Sequence, residues 1–228
     1  MTIGMVLRLP DGVLLTADGR TRRPLAGNAL VRDDANKVQQ IAPKIFGIPF
    51  GVEQASDLVL EQLRSTATPN TPKEYGDLLQ LTVDQIWTGI ENRFSDDVDR
   101  TDPRLKVAVL VGGILNGLPF ITGALRGVGG IGDFSFSDAM YDLSSLGGEE
   151  QGAHTAFIRA KDSVCNMYKW KADIGPKNPQ ISALLLKAGR VIRDVGRHNE
   201  DIGGTLRYAI IRERFPTLTD ILSMSAET

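Results

Sequence analysis

The chain has 228 residues, of which 42% are hydrophobic, and it carries 26 Lys and Arg against 28 Asp and Glu. The formal net charge of −2 at pH 7 gives no global attraction for nucleic acid or for an anionic membrane surface. The one cysteine, Cys165, excludes an intrachain disulfide and a cysteine-based zinc site within one chain. We expect Cys165 to fill the core from a helix, with Ile158 and Tyr168 on the same helix face.

The beginning of the sequence predicts neither a signal peptide nor a membrane span. Residues 1–12 lack the basic start and the long apolar run that a secretory signal has. No later run approaches the roughly 18 apolar residues that a membrane helix needs. We therefore expect a cytoplasmic protein.

Four short strands are predicted at the start of the chain, arranged as two hairpins. Hydrophobic alternation begins at once, and turn residues stand at Pro10-Asp11-Gly12 and at Ala42-Pro43. The predicted strands span residues 2–9, 12–17, 36–41 and 44–50. Between the hairpins we predict a loop at residues 22–34. The arginines predicted to form a solvated face there are Arg20, Arg22 and Arg23.

Two helices are predicted to follow these hairpins. Apolar spacing predicts the first over residues 52–65. The second is predicted to begin at Thr71-Pro72-Lys73-Glu74, because threonine can cap a helix, proline suits its first turn and glutamate completes a capping box. We expect this helix to end near Phe94. The predicted core-facing side chains are Ala55, Leu58, Val59 and Leu63 in the first helix and Leu78, Leu79, Leu81, Val83 and Ile86 in the second.

The second half of the chain predicts another hairpin, a short strand, two helices and a last strand. The apolar run at 105–114 is typical of a strand buried on both faces, and Asn116-Gly117 is a hairpin turn signal. A glycine-rich turn follows this hairpin. The predicted elements are strands at 105–114, 118–125 and 139–144, helices at 149–170 and 179–196, a strand at 205–212 and a helical turn at 219–224.

The order of these elements predicts the fold class. Strands come in hairpins and helices in pairs, which differs from the strand–helix alternation of a doubly wound parallel sheet. Two antiparallel sheets, each covered on its outer face by a helix pair, would bury every predicted apolar face. We therefore predict an α+β fold, a four-layer αββα sandwich. No repeat or linker divides the sequence, so residues 1–228 are predicted to form a single domain.

The first hairpin places a carboxylate close to the beginning of the chain. With its turn centred on Asp11, opposing residues pair so that Asp18 lies across from Gly4. The carboxylate of Asp18 is then within a residue or two of Thr2.

The second hairpin adds a cation and a glycine turn. With its turn centred between Ala42 and Pro43, Lys37 lies opposite Ile48, toward the open end at which Gly51 begins a turn. If the two hairpins lie side by side, a threonine, a carboxylate, an ammonium and a glycine N–H group meet at one end of the sandwich.

These four groups match the chemistry of an N-terminal nucleophile. A threonine hydroxyl needs a base, and a chain-terminal threonine carries one as its α-amine. The reference pKa of that amine, about 7.7–8.0, suits general base catalysis near neutral pH. A neighbouring lysine would lower that pKa, a carboxylate would hold the lysine, and a glycine N–H could stabilise an oxyanion. Because Thr2 is small, we expect the initiator Met1 to be removable.

The motifs in this order resemble the opening of proteasome β-type subunits, which are N-terminal-nucleophile (Ntn) hydrolases. The similar segments are Thr2-Ile3-Gly4, the GVLLTADGR strand at 12–20, Asn36-Lys37-Val38, the KIFGI strand at 44–48 and the VGG ending of the strand at 105–114. The segments GGEEQG at 147–152 and RHNEDIG at 197–203 resemble the Anbu-like bacterial members of this family.

The resemblance implies a role for each of the four residues. Thr2 would be both nucleophile and base, Asp18 the partner of the lysine, Lys37 the cation that tunes the amine, and Gly51 an oxyanion donor. In members of this family, side chains from a helix-to-strand turn also hydrogen-bond the threonine amine. The residues of this chain that fall there are Asp201, His198 and Asn199.

Three departures separate the sequence from the family pattern. The interval between Asp18 and Lys37 is a few residues longer, within the predicted loop at 22–34. The serine that many β subunits place after a glycine falls near Gly148 or Glu149. The aspartate and serine that support the amine fall near residues 198–202, so we expect the network around the amine to differ and the activity to be weak.

The resemblance also implies partners. It predicts a threonine-type endopeptidase that acts on peptide or unfolded protein inside a homo-oligomer, a ring or an open spiral, and it allows an ATP-dependent unfoldase partner. Two other hypotheses stay open. One is a non-catalytic or degenerate assembly subunit, which the departures favour. The other is an Ntn amidase that acts on small amides, since the same fold hosts such enzymes.

One motif suggests a cofactor and is set aside. Residues 127–132 satisfy the dinucleotide fingerprint G-x-G-x-x-G, but that site needs a helix directly after the glycines. The residues that follow, Asp133 to Asp138, do not begin a helix, so we interpret the segment as a glycine-rich loop. The two histidines, His154 and His198, are too few for a metal centre. We expect no metal and no organic cofactor.

Overall fold

The computed structural model describes residues 4–25, 28–93, 105–127, 130–131, 140–142, 179–197 and 203–222. Within these ranges the chain forms strands in hairpins and helices on either side of them. In chain order, the elements are β1 (Gly4–Leu9), β2 (Gly12–Asp18), β3 (Thr21–Leu25), β4 (Asn28–Arg32), β5 (Gln39–Ala42), β6 (Ile45–Gly51), α1 (Glu53–Ser65), α2 (Pro72–Glu91), β7 (Lys106–Leu115), β8 (Leu118–Gly127), β9 (Gly130–Ile131), β10 (Met140–Asp142), α3 (Pro179–Gly196), β11 (Leu206–Arg212) and β12 (Leu218–Leu222).

The strands form two antiparallel sheets and a separate hairpin. The first sheet has the order β10-β1-β2-β11-β12, and the second has the order β5-β6-β7-β8-β9. Strands β3 and β4 pair only with each other within the described part of the chain. Strand β2 is therefore central in the first sheet, and β7 is central in the second.

Alternation along the central strands divides the core into three layers of side chains. In β2, Val13 and Leu15 face the second sheet, whereas Leu14 packs under α3. In β7, Leu110 faces the first sheet, whereas Val109 packs under α1 and α2. Side chains of a strand point alternately to its two faces, so a strand that is apolar throughout can fill two layers at once.

The layer order confirms the predicted α+β sandwich of two antiparallel sheets. It runs from α1 and α2 through the second sheet and the first sheet to α3. The helix predicted at 149–170, with Cys165, Ile158 and Tyr168, lies outside the described residues. No described helix is both long enough and apolar enough to cross a membrane.

Local sequence signals explain the best-predicted boundaries. At the start of α2, the Glu74 N–H donates to the Thr71 hydroxyl at 3.2 Å and the Thr71 N–H donates to the Glu74 carboxylate at 3.2 Å, which confirms the capping box. Between β7 and β8, Asn116 and Gly117 both have positive φ, 49° and 80°. These values fit the two-residue hairpin turn that Asn-Gly favours.

Two predicted irregular regions are strands. The predicted loop at 22–34 contains β3 and β4, and the helical turn predicted at 219–224 is replaced by β12, which pairs with β11. Strands β3 and β4 form a hairpin outside the two sheets, and β12 is an edge strand of the first sheet. They need no hydrophobic alternation on both faces, so the sequence pattern does not mark them as strands.

Helix ends and faces also differ from the prediction. Helix α2 ends at Glu91, not near Phe94, and the Asn92 N–H closes it onto the Thr88 carbonyl. Leu58 and Leu81, predicted to face the core, are 52% and 55% exposed. The buried faces run instead through Ala55, Ser56, Val59, Leu60 and Leu63 in α1 and through Tyr75, Leu79, Thr82, Val83 and Trp87 in α2.

Candidate active site

A buried ion pair joins the two sheets at one end of the sandwich. Asp18 is the last residue of β2 and is fully buried, and Lys37 is 6% exposed. The Lys37 Nζ atom donates to Asp18 Oδ1 at 2.9 Å and to the Arg20 carbonyl at 2.5 Å. The contact between Lys37 and Asp18 that the sequence predicts is therefore present. Each charge needs the other, because an unpaired buried charge is strongly unfavourable.

The second oxygen of the Asp18 carboxylate is held by the backbone. Asp18 Oδ2 accepts from the Arg20 N–H at 3.3 Å and from the Gly203 N–H at 3.4 Å. Both oxygens of this carboxylate are thus engaged, which fixes its orientation toward Lys37.

The register of the first hairpin is one residue from the predicted one. Gly4 pairs with Ala17, not with Asp18, because the turn consists of Pro10 and Asp11 alone and Gly12 already belongs to β2. A Cβ atom on Gly12 would lie 2.0 Å from the Ile211 carbonyl oxygen, so β11 packs closely there. The shift keeps Asp18 at the end of β2 that lies beside the beginning of β1.

Lys37 is placed by the segment before β5 and not by the strand itself. The strand predicted at 36–41 begins only at Gln39, which pairs with Gly47, and a bulge separates Gln40 from Ala42. Lys37 therefore does not pair with Ile48 as predicted. Its side chain instead reaches Asp18 of the first sheet.

Gly51 forms the turn between β6 and α1. Its φ of +81° is in the left-handed region, and a Cβ atom there would lie 2.0 Å from the Lys106 carbonyl oxygen. Only glycine fits this backbone without rearrangement. The preceding residue, Phe50, packs against the beginning of β1, since a Cβ atom on Gly4 would lie 2.6 Å from its ring. The Gly51 turn is therefore one residue from the side chain that covers the start of β1.

A second set of contacts surrounds the ion pair, and sequence reasoning missed it. Arg20 Nε donates to Asp33 Oδ1 at 2.6 Å and Nη2 donates to Oδ2 at 3.2 Å. The hydrogen bond from Arg20 is the main cause that lowers the pKa of Asp33, and the same bond raises the pKa of Arg20. Gly203 and Gly204, both with positive φ, pack against this pair. The sequence gives no signal for this contact, because the segment between Arg20 and Asp33 is predicted as a loop, whereas the structure forms the β3–β4 hairpin there.

The remaining predicted site residues are not described. Thr2 and the predicted supporting residues His198, Asn199 and Asp201 lie outside the described residues. Within the described ranges, no three His, Cys, Asp or Glu side chains come together as a metal site would require.

No family model and no curated protein sequence matches the chain. Solved structures do match it, and one is the Anbu (Gly-1) mutant from Hyphomicrobium sp. strain MC1. The match has a TM-score of 0.61 at 14% sequence identity and covers 100% of this chain and 89% of that chain. The chain shares the fold of this Anbu structure. At this identity the Anbu likeness establishes the fold, which confirms the resemblance that the sequence motifs predict.

Proposed function

We propose that the chain is a threonine peptidase whose nucleophile is Thr2 after removal of Met1. The observation that carries the proposal is the buried Lys37–Asp18 ion pair, with Nζ and Oδ1 2.9 Å apart. It lies at the end of β2 where Ala17 pairs with Gly4, and Gly4 is two residues from Thr2 in the chain. An ammonium held in this place, within an Anbu-like fold, supports a role in activating the terminal threonine.

The proposed reaction divides peptide hydrolysis into two acyl transfers. The α-amine of Thr2 takes the hydroxyl proton while the oxygen attacks the substrate carbonyl carbon. The peptide C–N bond then breaks, the proton passes to the leaving amine, and an ester to Thr2 remains. Water attacks the ester carbonyl, giving its proton to the amine, and the threonine hydroxyl is restored as the acid product leaves.

Three residues have supporting roles in this proposal. The Lys37 ammonium favours the neutral, basic form of the nearby amine. Asp18 keeps the ammonium charged and oriented. The Gly51 N–H is the proposed oxyanion donor. Its turn requires glycine, because φ is +81° and the Lys106 carbonyl leaves no room for a side chain. The proposed supporting residues of the amine are Asp201, His198 and Asn199.

The proposal extends to assembly and substrate. We propose a cytoplasmic homo-oligomer, a ring or an open spiral, that takes peptides or unfolded protein, with an ATP-dependent unfoldase as a partner. The Anbu-like fold supports this assembly, since exposed helix faces and strand edges of such a fold can be covered by further copies of the same chain. The predicted weakness of the activity follows from the departures near residues 198–202.

Intact mass after exposure to a threonine-directed peptide β-lactone tests the proposal. The protein is first shown by N-terminal sequencing to begin with Thr2, and Thr2→Ala is the matched control. We expect one acyl adduct, mapped to Thr2, and none in Thr2→Ala. Absence of an adduct on a chain with free Thr2 would contradict the proposal and favour the non-catalytic assembly subunit. Turnover of small acylamides but not of peptides would favour the amidase hypothesis.

A further inference from the structure

The β3–β4 hairpin begins and ends beside the candidate site. It starts three residues after Asp18 and ends five residues before Lys37 in the chain. We define the hairpin foot as residues 19–20 and 33–35, which flank the two strands. The foot is closed by the Ala35 N–H, which donates to the Gly19 carbonyl at 2.9 Å, and by the two-point contact of Arg20 with Asp33.

The hairpin foot is fixed to the beginning of β11. The Asp33 carbonyl accepts from both the N–H and the hydroxyl of Thr205, each at 2.9 Å. Arg207 Nη2 donates to the Asp34 carbonyl at 2.7 Å. A Cβ atom on Gly204 would lie 2.6 Å from the Asp33 carbonyl oxygen, so the glycine allows this approach. The Asp33 backbone is therefore set in place by β11, and its carboxylate is presented to Arg20.

The backbone of Arg20 contacts both members of the buried ion pair. Its N–H donates to Asp18 Oδ2 at 3.3 Å, and its carbonyl accepts from Lys37 Nζ at 2.5 Å. The lysine side chain has four rotatable bonds, so the direction of its ammonium depends on where its acceptors lie. The position of the Arg20 backbone thus helps to set the position of the Lys37 ammonium.

We propose that Asp33 is a positioning residue for Lys37 and acts through Arg20. The Asp33 carboxylate binds the Arg20 guanidinium, which holds the Arg20 carbonyl where Lys37 binds it. Without the carboxylate, Arg20 loses the two side-chain hydrogen bonds to Asp33, and its carbonyl no longer keeps the ammonium in one place. The inference rests on the proposed function, because it assigns Asp33 to the activation of Thr2 and not to substrate binding.

Inactivation by a peptide β-lactone tests this role when its rate constant, kinact, and its binding constant, KI, are measured separately. We expect Asp33→Asn to lower kinact about three- to tenfold and to leave KI unchanged, because small misplacements of a catalytic group slow chemistry while an exposed pair contributes little to stability. Asp34→Asn is the matched control, since that neighbouring side chain is 67% exposed and accepts from Arg32 at 3.4 Å. We expect Asp34→Asn to react like the wild type.

A conservative variant separates positioning from general damage. Asp33→Glu keeps the charge that binds Arg20, so we expect it to recover at least half of the lost rate. Equal kinact values for Asp33→Asn and Asp34→Asn would overturn the proposal. So would a raised KI with unchanged kinact, since that result would place Asp33 in substrate binding.

A crystal structure of Asp33→Asn gives a readout that does not depend on activity. We expect the Lys37 ammonium to be displaced from the Arg20 carbonyl, which it contacts at 2.5 Å in the wild-type chain. An unchanged contact would overturn the positioning role. If free Thr2 in the wild type forms no adduct, the proposed function fails, whereas the structure of the variant still decides whether Asp33 positions Lys37.

Discussion

Strand β2 carries a carboxylate-based ion pair at each end, and the two pairs are built differently. Asp18 and Lys37 lie at one end, and Asp11 and Arg212 lie at the other, about 20 Å away along the strand. Both cations are buried: the side chain of Lys37 is 7% exposed and that of Arg212 is 2% exposed. The same strand thus has one aspartate–lysine pair and one aspartate–arginine pair.

The arginine pair is packed as a structural contact. Arg212 Nε donates to Asp11 Oδ2 at 2.8 Å, and the guanidinium lies 4.3 Å from the centre of the Phe215 ring. Lys44, from the turn between β5 and β6, donates to the Arg212 carbonyl at 3.2 Å and to the Glu213 carbonyl at 2.5 Å. A planar guanidinium that stacks on an aromatic ring suits a fixed structural contact, here between β11 and the β1–β2 turn of the first sheet.

The lysine pair is surrounded by backbone. Lys37 is held by one carboxylate oxygen and one carbonyl, and glycines with positive φ at 51, 203 and 204 lie in this end of the molecule. An ammonium is a compact charge that can act on a neighbouring amine. The comparison teaches that a buried ion pair alone does not mark a site. The type of cation distinguishes the two ends, since closely packed or positive-φ glycines such as Gly12 and Gly117 also lie near the Arg212 end.

The largest expected effect is a difference in turnover between variants of Lys37 and Lys44, the two lysines that contact the first sheet from the segments around β5. Lys37→Ala should lower turnover by at least about 100-fold, because it removes an electrostatic group from the proposed site. Lys44→Ala is the matched control at the opposite end and should leave turnover within about twofold, because it loses only contacts with the Arg212 and Glu213 carbonyls. The measurement is peptide hydrolysis by protein that begins with Thr2, with oligomer size checked in parallel. Equal losses in the two variants would remove the distinction between the ends.

The next effect compares two glycines with positive φ. Gly51→Ala should destabilise the fold by about 2–3 kcal/mol, because a left-handed backbone and close packing against the Lys106 carbonyl both oppose a side chain. Gly117→Ala should cost only about 1 kcal/mol, since its φ is +80° but its nearest neighbour is the flexible end of Glu213 at 3.3 Å. Urea unfolding gives both values. A smaller loss for Gly51→Ala than for Gly117→Ala would contradict the tight turn at Gly51.

A third effect tests the structural character of the arginine pair. Arg212→Ala should lower the free energy of unfolding by about 2 kcal/mol, because it leaves Asp11 without its charged partner and removes the contact with Phe215. Asp11 keeps 18% of its side chain exposed, so water offsets part of the loss. The β-lactone rate of the folded variant should stay unchanged. A slowed rate at unchanged stability would assign the Arg212 end to the chemistry.

The sequence predicts the parts of the fold that local patterns determine. The capping box at Thr71, the Asn116-Gly117 turn and the boundaries of α3 follow from residues that are neighbours in the chain. Strands β3 and β12 were not predicted, because strands at the margin of a sheet need no strict alternation. The faces of α1 and α2 were predicted only in part, because tertiary packing decides which of two adjacent positions is buried.

The candidate site was also predicted only in part from the sequence. Asp18, Lys37 and Gly51 were predicted from hairpin geometry and from the resemblance, and the contact between the first two is present. The contacts of Asp33 with Arg20 and Thr205 could not be predicted, because they depend on a hairpin of unknown shape meeting a strand far along the chain. Sequence patterns thus indicate charged groups near a site more readily than the backbone contacts that orient them.

The smallest expected effect concerns the exposed Arg20–Asp33 pair, which adds a pH-dependent contact to the lysine end. Arg20 lowers the pKa of Asp33 in the folded chain. A depressed folded-state pKa stabilises the fold above the unfolded-state pKa, and this stabilisation is lost as pH falls through the folded-state value. Because the Asp33 side chain is 52% exposed, solvent screening limits the contribution to about 0.5 kcal/mol or less. Urea unfolding at pH 7 should therefore show Asp33→Asn slightly less stable than the wild type, and the difference should disappear as pH falls through the lowered folded-state pKa of Asp33. Asp34→Asn, the matched control at a side chain that is 67% exposed, should show no such convergence, and a gap for Asp33→Asn that widened in acid would reverse the sign of the proposed linkage.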